Sequence, residues 1–352
     1  MKTLYGIQYL RAFAALAVVV FHAAERTGEH FAIGAAGVDV FFVISGFIMW
    51  TTTGRREIGP GEFIRHRLIR IVPLYWIFTL VYLLVTVAGK HNPISTLDVV
   101  RSLFFIPWFE EHLSQRISAF YFLGWTLMYE MFFYCVFALT LFLPRSTQLR
   151  AVVSCLAILV AAGLLFDFKN GISFAYTSPL LLEFIAGCVI GRLYESKLTP
   201  PRSWAAAFIC LATTAILWSA WHAPEDLLTR ALVWGLPAAL IVAAALSFEP
   251  DAQKSPSVAG LLLGDASYSI YLSHIIFFLM FNLIAKRTGI VTGIVHGFSE
   301  IALFYGTIGT ACALAGGLIV YTAIEKPTSK LLARLTKPNA KIEPPLRRAS
   351  SS

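Results

Sequence analysis

An all-α fold, built as a polytopic membrane helix bundle of about ten transmembrane helices with both termini in the cytoplasm, is the class this 352-residue sequence predicts. Three observations carry that prediction. Hydrophobic residues make up 57% of the chain against 14% charged, with a mean hydropathy of +0.71. A soluble domain of this size carries about a quarter charged residues and interrupts its apolar runs more often. The apolar residues gather into ten stretches of the length that crosses a bilayer. Lysine and arginine collect on alternate sides of those stretches, as cytoplasmic loops do.

In order, the stretches are roughly 6–25, 35–53, 71–89, 119–143, 150–166, 175–193, 203–221, 228–247, 267–285 and 300–323. The first follows a single lysine, Lys2, as the apolar region of a signal peptide would. Arg11 interrupts it and no small-x-small cleavage site follows, so it reads as a retained span. With the N-terminus inside, 19 of the 28 lysines and arginines fall on the cytoplasmic side, 8 fall outside and Arg11 lies within the first span. An even number of crossings returns the C-terminus to the cytoplasm. The net charge of +8 is then mainly this bias plus a basic tail, and no basic face with interleaved aromatics argues for nucleic acid.

Residues 1–335 therefore form one transmembrane domain, and 336–352, polar and rich in proline and serine, form a basic cytoplasmic tail expected to be disordered and to touch anionic lipid weakly. Cysteines 135, 155, 188, 210 and 312 all lie in apolar stretches without metal-ligand or redox spacing, and read as small core hydrophobes. No metal is indicated, since no ligand set converges at a recognisable spacing. No internal repeat is visible, which counts against the inverted-repeat transporter folds.

Polar residues inside the spans carry the functional signal, because a charge in hydrocarbon costs at least about 2.5 kcal/mol. Arg11 and His22 are eleven residues apart, only about 20° from three full turns, so they share a helix face at depths about 16 Å apart. A guanidinium holds phosphate or carboxylate by paired hydrogen bonds, and a neutral imidazole accepts a proton. Taken singly, snorkelling explains Arg11 and helix capping explains His22. Sharing a face favours joint use, with both side chains turned to one internal cavity joining the two aqueous sides.

Asp39 opens the second span, "GVDVFFVISGF", at the depth where His22 ends. It can orient that imidazole as the acid of a nucleophile-activating triad does, or simply cap its helix. Ser45 and Gly46 read as close helix packing. Arg67 and Arg70, three apart before Pro73, are either ordinary cytoplasmic anchors or a cradle for a polyanion such as a nucleotide diphosphate. Glu130 lies among large apolar residues and must pair or serve chemistry. Trp125 reads as a substrate contact or an interfacial belt residue. Tyr268, Tyr271 and His274, spaced by three along one helix side, offer a substrate surface or proton relay, or plain core hydrogen bonding. Glu325 is expected to pair with an arginine, and Glu183 is left without a role.

Together these stretches resemble the acyltransferase-3 family of integral membrane proteins. The resemblance rests on Arg-ten residues-His in the first span, "GVDVFFVISGF", "RLIRIVP", "WTL" followed by Glu130, "SYSIYLSH" and "EKP", in that order over nearly the whole chain. With no hydrolase-like domain expected after the last span, it is similar to the branch of exopolysaccharide-production O-acetyltransferases, such as those acting on succinoglycan. That resemblance implies transfer of an acyl group, usually acetyl from cytoplasmic acetyl-CoA, to a hydroxyl of a glycan or lipid-linked saccharide, in a bacterial inner membrane and beside polysaccharide-synthesis machinery. It implies Arg11 and His22 as essential residues. Arg67 and Arg70 are then expected to hold the donor phosphates, with Asp39 orienting His22. Glu130, Trp125, Tyr268, Tyr271 and His274 serve the acceptor or the released proton. Direct transfer and an acyl-histidine relay both remain open, as do acetyl and succinyl. A proton-coupled exporter of saccharide or lipid would use the same His, Glu and Asp residues, and a non-catalytic scaffold would leave them idle.

Overall fold

Each apolar stretch becomes helical in the computed structural model, which describes residues 3–26, 32–55, 58–89, 94–109, 117–288 and 304–335. The tail expected at 336–352 lies outside the described residues. The first span is α1 (Tyr5–Glu25). A 3₁₀ turn over Ala32–Ala36 leads into α2 (Gly37–Arg55). The third, α3 (Pro60–Ala88), begins eleven residues before the apolar run expected at 71–89. Pro60 at its start has the fixed φ of a first helical turn, so the helix takes in the arginines ahead of the apolar run. Pro73 sits within it and leaves the Ile69 carbonyl without its helical donor.

A short helix α4 (Thr96–Leu103) and a two-residue antiparallel pair, β1 (Trp108–Phe109) with β2 (Ile117–Ser118), precede α5 (Gly124–Thr140). Then follow α6 (Arg145–Leu165), the single turn-and-a-half α7 (Gly171–Tyr176) and α8 (Leu181–Glu195), so that the stretch expected at 175–193 is broken before Pro179. Next come α9 (Arg202–Trp218) and α10 (Leu227–Arg230), which passes through a π-helical turn at Ala231–Gly235 into α11 (Leu236–Ser247). The short α12 (Glu249–Lys254) and α13 (Val258–Asp265) connect to α14 (Ser267–Thr288). The last span enters the described residues at a π-helical turn, Phe304–Gly309, and continues as α15 (Thr310–Val320), a π-helical turn at Tyr321–Glu325, and α16 (Lys326–Leu335).

Among the described residues, eight helical segments are long and apolar enough to cross a membrane. The other two, α5 and α9, have 17 residues each and rise about 25 Å, a little short of a hydrocarbon core of about 30 Å. Large apolar side chains such as Phe13, Leu84, Phe142, Ile158 and Ile319 stand outward, as lipid-facing residues do.

Two packing choices position the site. Helix α2 lies in the middle of the bundle against α8, where Gly46 abuts the Phe184 backbone and Gly187 abuts the Val43 backbone with no room for a Cβ. The sequence reading of Gly46 as a close-packing residue is met by that contact. Helix α14 lies beside α1 and runs parallel to it, because Arg11 bonds to Ser267 low on both helices while His22 stacks on His274 higher up.

Candidate active site

Five helices, α1, α2, α3, α5 and α14, enclose a cavity of about 110 Å³. Its charged walls are Arg11, Arg67, Arg70 and Glu130, three guanidinium groups against one carboxylate. Arg11 is buried, and its hydrogen bonds go to neutral partners, Gln8 Oε1 at 3.0 Å and Ser267 Oγ at 2.9 Å. The Arg67 guanidinium packs over the rings of Phe63 and Tyr134, 5.8 Å from each centroid, and its buried Nε has no hydrogen-bond partner among the described residues. Glu130 is held at one oxygen, which accepts from Tyr134 Oη at 2.5 Å and Ser45 Oγ at 3.1 Å. An excess of cations in a half-open, partly apolar space attracts a polyanion, and guanidinium forks suit phosphate oxygens.

Tyr268 and Tyr271 line the same cavity, from α14. Tyr268 donates to the Ile71 carbonyl at 2.8 Å, tying α14 to α3 where Pro73 has interrupted the helical ladder. Tyr271 pairs with Thr126 Oγ1 at 2.9 Å and reaches the Leu123 carbonyl at 3.3 Å. One helical turn further along α14 stands His274, and His22 lies there with it, beyond the cavity wall. The expectation of one continuous passage facing both Arg11 and His22 is therefore corrected: Arg11 faces the cavity, and the Tyr271–Thr126 contact stands between it and the imidazole.

His22 stacks on His274, ring centroids 5.2 Å apart and planes 24° apart, with Phe122 edge-on at 5.4 Å. Its Nδ1 lies 3.3 Å from Glu25 Oε2. Asp39, expected to orient His22, is elsewhere. Both its oxygens accept from Arg230, Nη2 at 2.8 Å and Nε at 3.1 Å, and it is fully buried. Asp39 meets His22 neither in level nor in direction: Gly37, two residues before it, packs against Ala14 and Val18 of α1, and the face of α2 that carries Asp39 turns to α10. Trp125 belongs to this second cluster, its ring 5.3 Å from the Arg230 guanidinium, with Trp234 at 5.0 Å on the same cation. Glu183 is buried beside the pair with its carboxyl against that of Asp39, and no N–H or hydroxyl donor reaches either of its oxygens among the described residues. Glu325, expected to meet an arginine, instead accepts from Ser269 Oγ at 2.5 Å.

Six of the ten residues singled out in the sequence thus line one cavity, Arg11, Arg67, Arg70, Glu130, Tyr268 and Tyr271, while His22 with His274 and Asp39 with Trp125 stand in two clusters outside it. Residues 4–322 match the acyltransferase domain family. The chain belongs to the acyltransferase-3 family. Among relatives, it is 41% identical over 313 residues, 88% of this chain and 94% of theirs, to the exopolysaccharide production protein ExoZ of Rhizobium meliloti. It is 29% identical over 289 residues, 76% and 71% of the two chains, to the putative membrane-bound transacylase BcsY of Komagataeibacter xylinus. The O-acetyltransferase OatA of Staphylococcus aureus is 26% identical over 216 residues, covering 55% of this chain and 35% of that protein. No solved structure matches.

The structure also brings to these clusters residues to which the sequence reading gave no functional part. Tyr134 follows Glu130 by four residues on α5, the spacing at which helix side chains meet, and could have been found by that rule. Glu25 follows His22 by three, under the same rule. Ser45 was read as packing alone, yet its hydroxyl meets both Glu130 and Tyr134. Arg230, far away in sequence, carried no signal toward Asp39. Among the described residues no group of three or more potential metal ligands gathers.

Proposed function

We propose that this membrane acyltransferase moves an acetyl group from cytoplasmic acetyl-CoA to a hydroxyl of an exopolysaccharide or of its lipid-linked precursor. The observation that carries the reading is the cavity with three arginines and one carboxylate, whose first arginine shares α1 with His22. Arg67, Arg70 and Arg11 hold the donor phosphates, and the Arg67 Nε–H, buried without a partner among the described residues, is available to them. For the thioester arm to reach His22, the Tyr271–Thr126 contact has to part, so that the arm runs along α1 over the roughly 16 Å between the levels of Arg11 and His22.

At His22 the acceptor hydroxyl oxygen attacks the thioester carbonyl carbon while the basic imidazole nitrogen takes its proton. The new C–O bond forms, the C–S bond breaks, and the proton passes from the imidazolium to the departing thiolate, leaving an ester and free thiol. Base assistance of this kind is worth about 10²–10⁴-fold. A relay through an acyl-imidazole at His22 uses the same atoms in two steps. Tyr268 and Glu130 shape the donor side of the cavity in either route.

The acceptor class is supported by the printed names of the relatives, one an exopolysaccharide production protein and one an O-acetyltransferase. The lysine and arginine distribution supports an inner-membrane orientation with both termini, and the arginine cavity, facing the cytoplasm. Membership of an acyltransferase family weighs against the exporter, which would show pH-coupled flux without thioester cleavage.

The test uses the full chain in lipid vesicles with radiolabelled acetyl-CoA and glycan acceptors. Transfer of label to glycan that is lost in both Arg11→Ala and His22→Ala is expected. Turnover of the thioester that survives in both variants ends the reading. Label trapped on the protein and released by hydroxylamine selects the acyl-histidine route.

A further inference from the structure

The geometry around His22 is built by two groups, one on its own helix and one on α14. Its Nδ1 lies 3.3 Å from Glu25 Oε2, and a carboxylate only accepts, so Nδ1 carries the hydrogen and Nε2 is the basic nitrogen. On one face of the ring lies His274, stacked at 5.2 Å and 24°.

His274 has a defined protonation pattern of its own. It is fully buried, and its Nδ1 stands 2.6 Å from the Tyr271 carbonyl oxygen, which also only accepts. Nδ1 therefore holds the hydrogen here too. The Nε2 atom is buried without a partner among the described residues. A second hydrogen there would be an unpaired buried donor on a buried cation, which costs more than an unpaired lone pair. His274 is thus a neutral ring pinned to its own backbone, and Phe278 backs it edge-on at 5.9 Å. The Arg26 guanidinium lies 5.4 Å from the Phe278 ring centroid.

We propose that Glu25 and His274 are the positioning residues of His22, together doing the work that a triad acid does elsewhere. Glu25 fixes the tautomer and faces the charge that appears when His22 takes a proton. The neutral face of His274 holds the ring plane and lies against that developing imidazolium, a favourable cation–π arrangement. Neither group touches the reacting atoms. Asp39 has no part in this, because Arg230 occupies both its oxygens.

The inference rests on His22 being the group that accepts the hydroxyl proton, and the experiment separates the two. Steady-state transfer is measured in vesicles with acetyl-CoA as the varied substrate, for Glu25→Ala, Glu25→Gln, His274→Ala, His274→Phe, His22→Ala and the Glu25→Ala/His22→Ala double variant. Glu25→Ala and His274→Ala are each expected to lower kcat about ten-fold while KM for acetyl-CoA stays within about two-fold, since the arginine cavity lies apart from them. Gln at 25 retains an accepting oxygen and recovers part of the loss. Phe at 274 retains the stacked face and recovers most of it, and it also serves where Ala at 274 fails to fold.

In the His22→Ala background, Glu25→Ala is expected to change nothing further, the mark of acting through His22. A kcat within about two-fold of the parent in Glu25→Ala and His274→Phe together with His274→Ala, or an equal further loss from Glu25→Ala when His22 is already absent, overturns the proposal. If His22→Ala itself transfers at the parental rate, the reading of His22 has failed, and that outcome is distinct from the others.

Discussion

Two charged clusters lie inside this bundle, made from the same residue types and put to opposite use. Around the cavity, three arginines face a single carboxylate, and Arg11 satisfies its hydrogen bonds on neutral groups. Beside α10, one arginine faces two carboxylates, and Arg230 is gripped by Asp39 through two hydrogen bonds between the rings of Trp125 and Trp234. The first has space and, among the described residues, an unpaired donor in Arg67 Nε. The second has its partner built in and joins α2, α5 and α10. The difference teaches that a buried charge serves a ligand only where the fold has withheld its counter-charge.

The largest effect expected is on the closed cluster. Asp39→Ala leaves the Arg230 cation buried and unpaired, and breaking such a pair costs about 3–5 kcal/mol. Thermal unfolding in detergent should show a large drop for Asp39→Ala and for Arg230→Ala, and the double change Asp39→Leu/Arg230→Met should recover most of it. A double variant as unstable as the single ones breaks the comparison, since the pair would then be doing more than neutralising itself.

For the open cluster the expected loss is in binding, with the fold retained. Arg67→Ala removes one charge-assisted contact, worth about 1.5–3 kcal/mol, so KM for acetyl-CoA should rise between about ten- and a hundred-fold with little change in melting temperature. Adding Glu130→Gln should not restore binding, in contrast to the rescue expected at Asp39 and Arg230. A fall in stability larger than the fall in affinity would show that Arg67 is structural.

A smaller change is expected at Glu183. Its oxygens lack donors among the described residues, so a neutral amide of the same shape should alter stability by less than about 1 kcal/mol. A larger destabilisation in Glu183→Gln would mean that the carboxylate charge balances Arg230.

The smallest effect concerns Asp226, which caps α10 one turn before Arg230 and accepts from the Leu228 and Thr229 amides and the Thr229 hydroxyl. The hydroxyl and amide of Thr229 hold its carboxyl below the usual carboxylate range. Because the folded value is depressed, the stabilisation is present above the unfolded value of about 3.9 and disappears as the pH falls through the folded one. Asp226→Ala should cost about 0.5–1 kcal/mol at neutral pH, and melting curves of the two proteins should converge on acidification.

Reading the sequence located the spans because hydrophobicity and length are local properties, and it set the axial separation of Arg11 and His22 on one helix because helical rise is constant. It joined Arg67 and Arg70 to Arg11 only through the resemblance, and in the structure the three line one cavity. It went wrong on Asp39, whose carboxylate is taken by Arg230 of α10, on a helix that Gly46 and Gly187 let pack closely against α8. Spacing by three or four, applied to Glu25 and Tyr134, would have found two further neighbours.

What the chain alone determined is a ladder of helices with chosen residues at chosen heights, since each rung depends only on nearby residues. Which faces meet across the bundle, Arg230 with Asp39, His274 with His22, Tyr271 with Thr126, was decided by tertiary packing. Rotation of a helix about its axis is set by the surfaces it must fill, and those surfaces belong to segments distant in sequence.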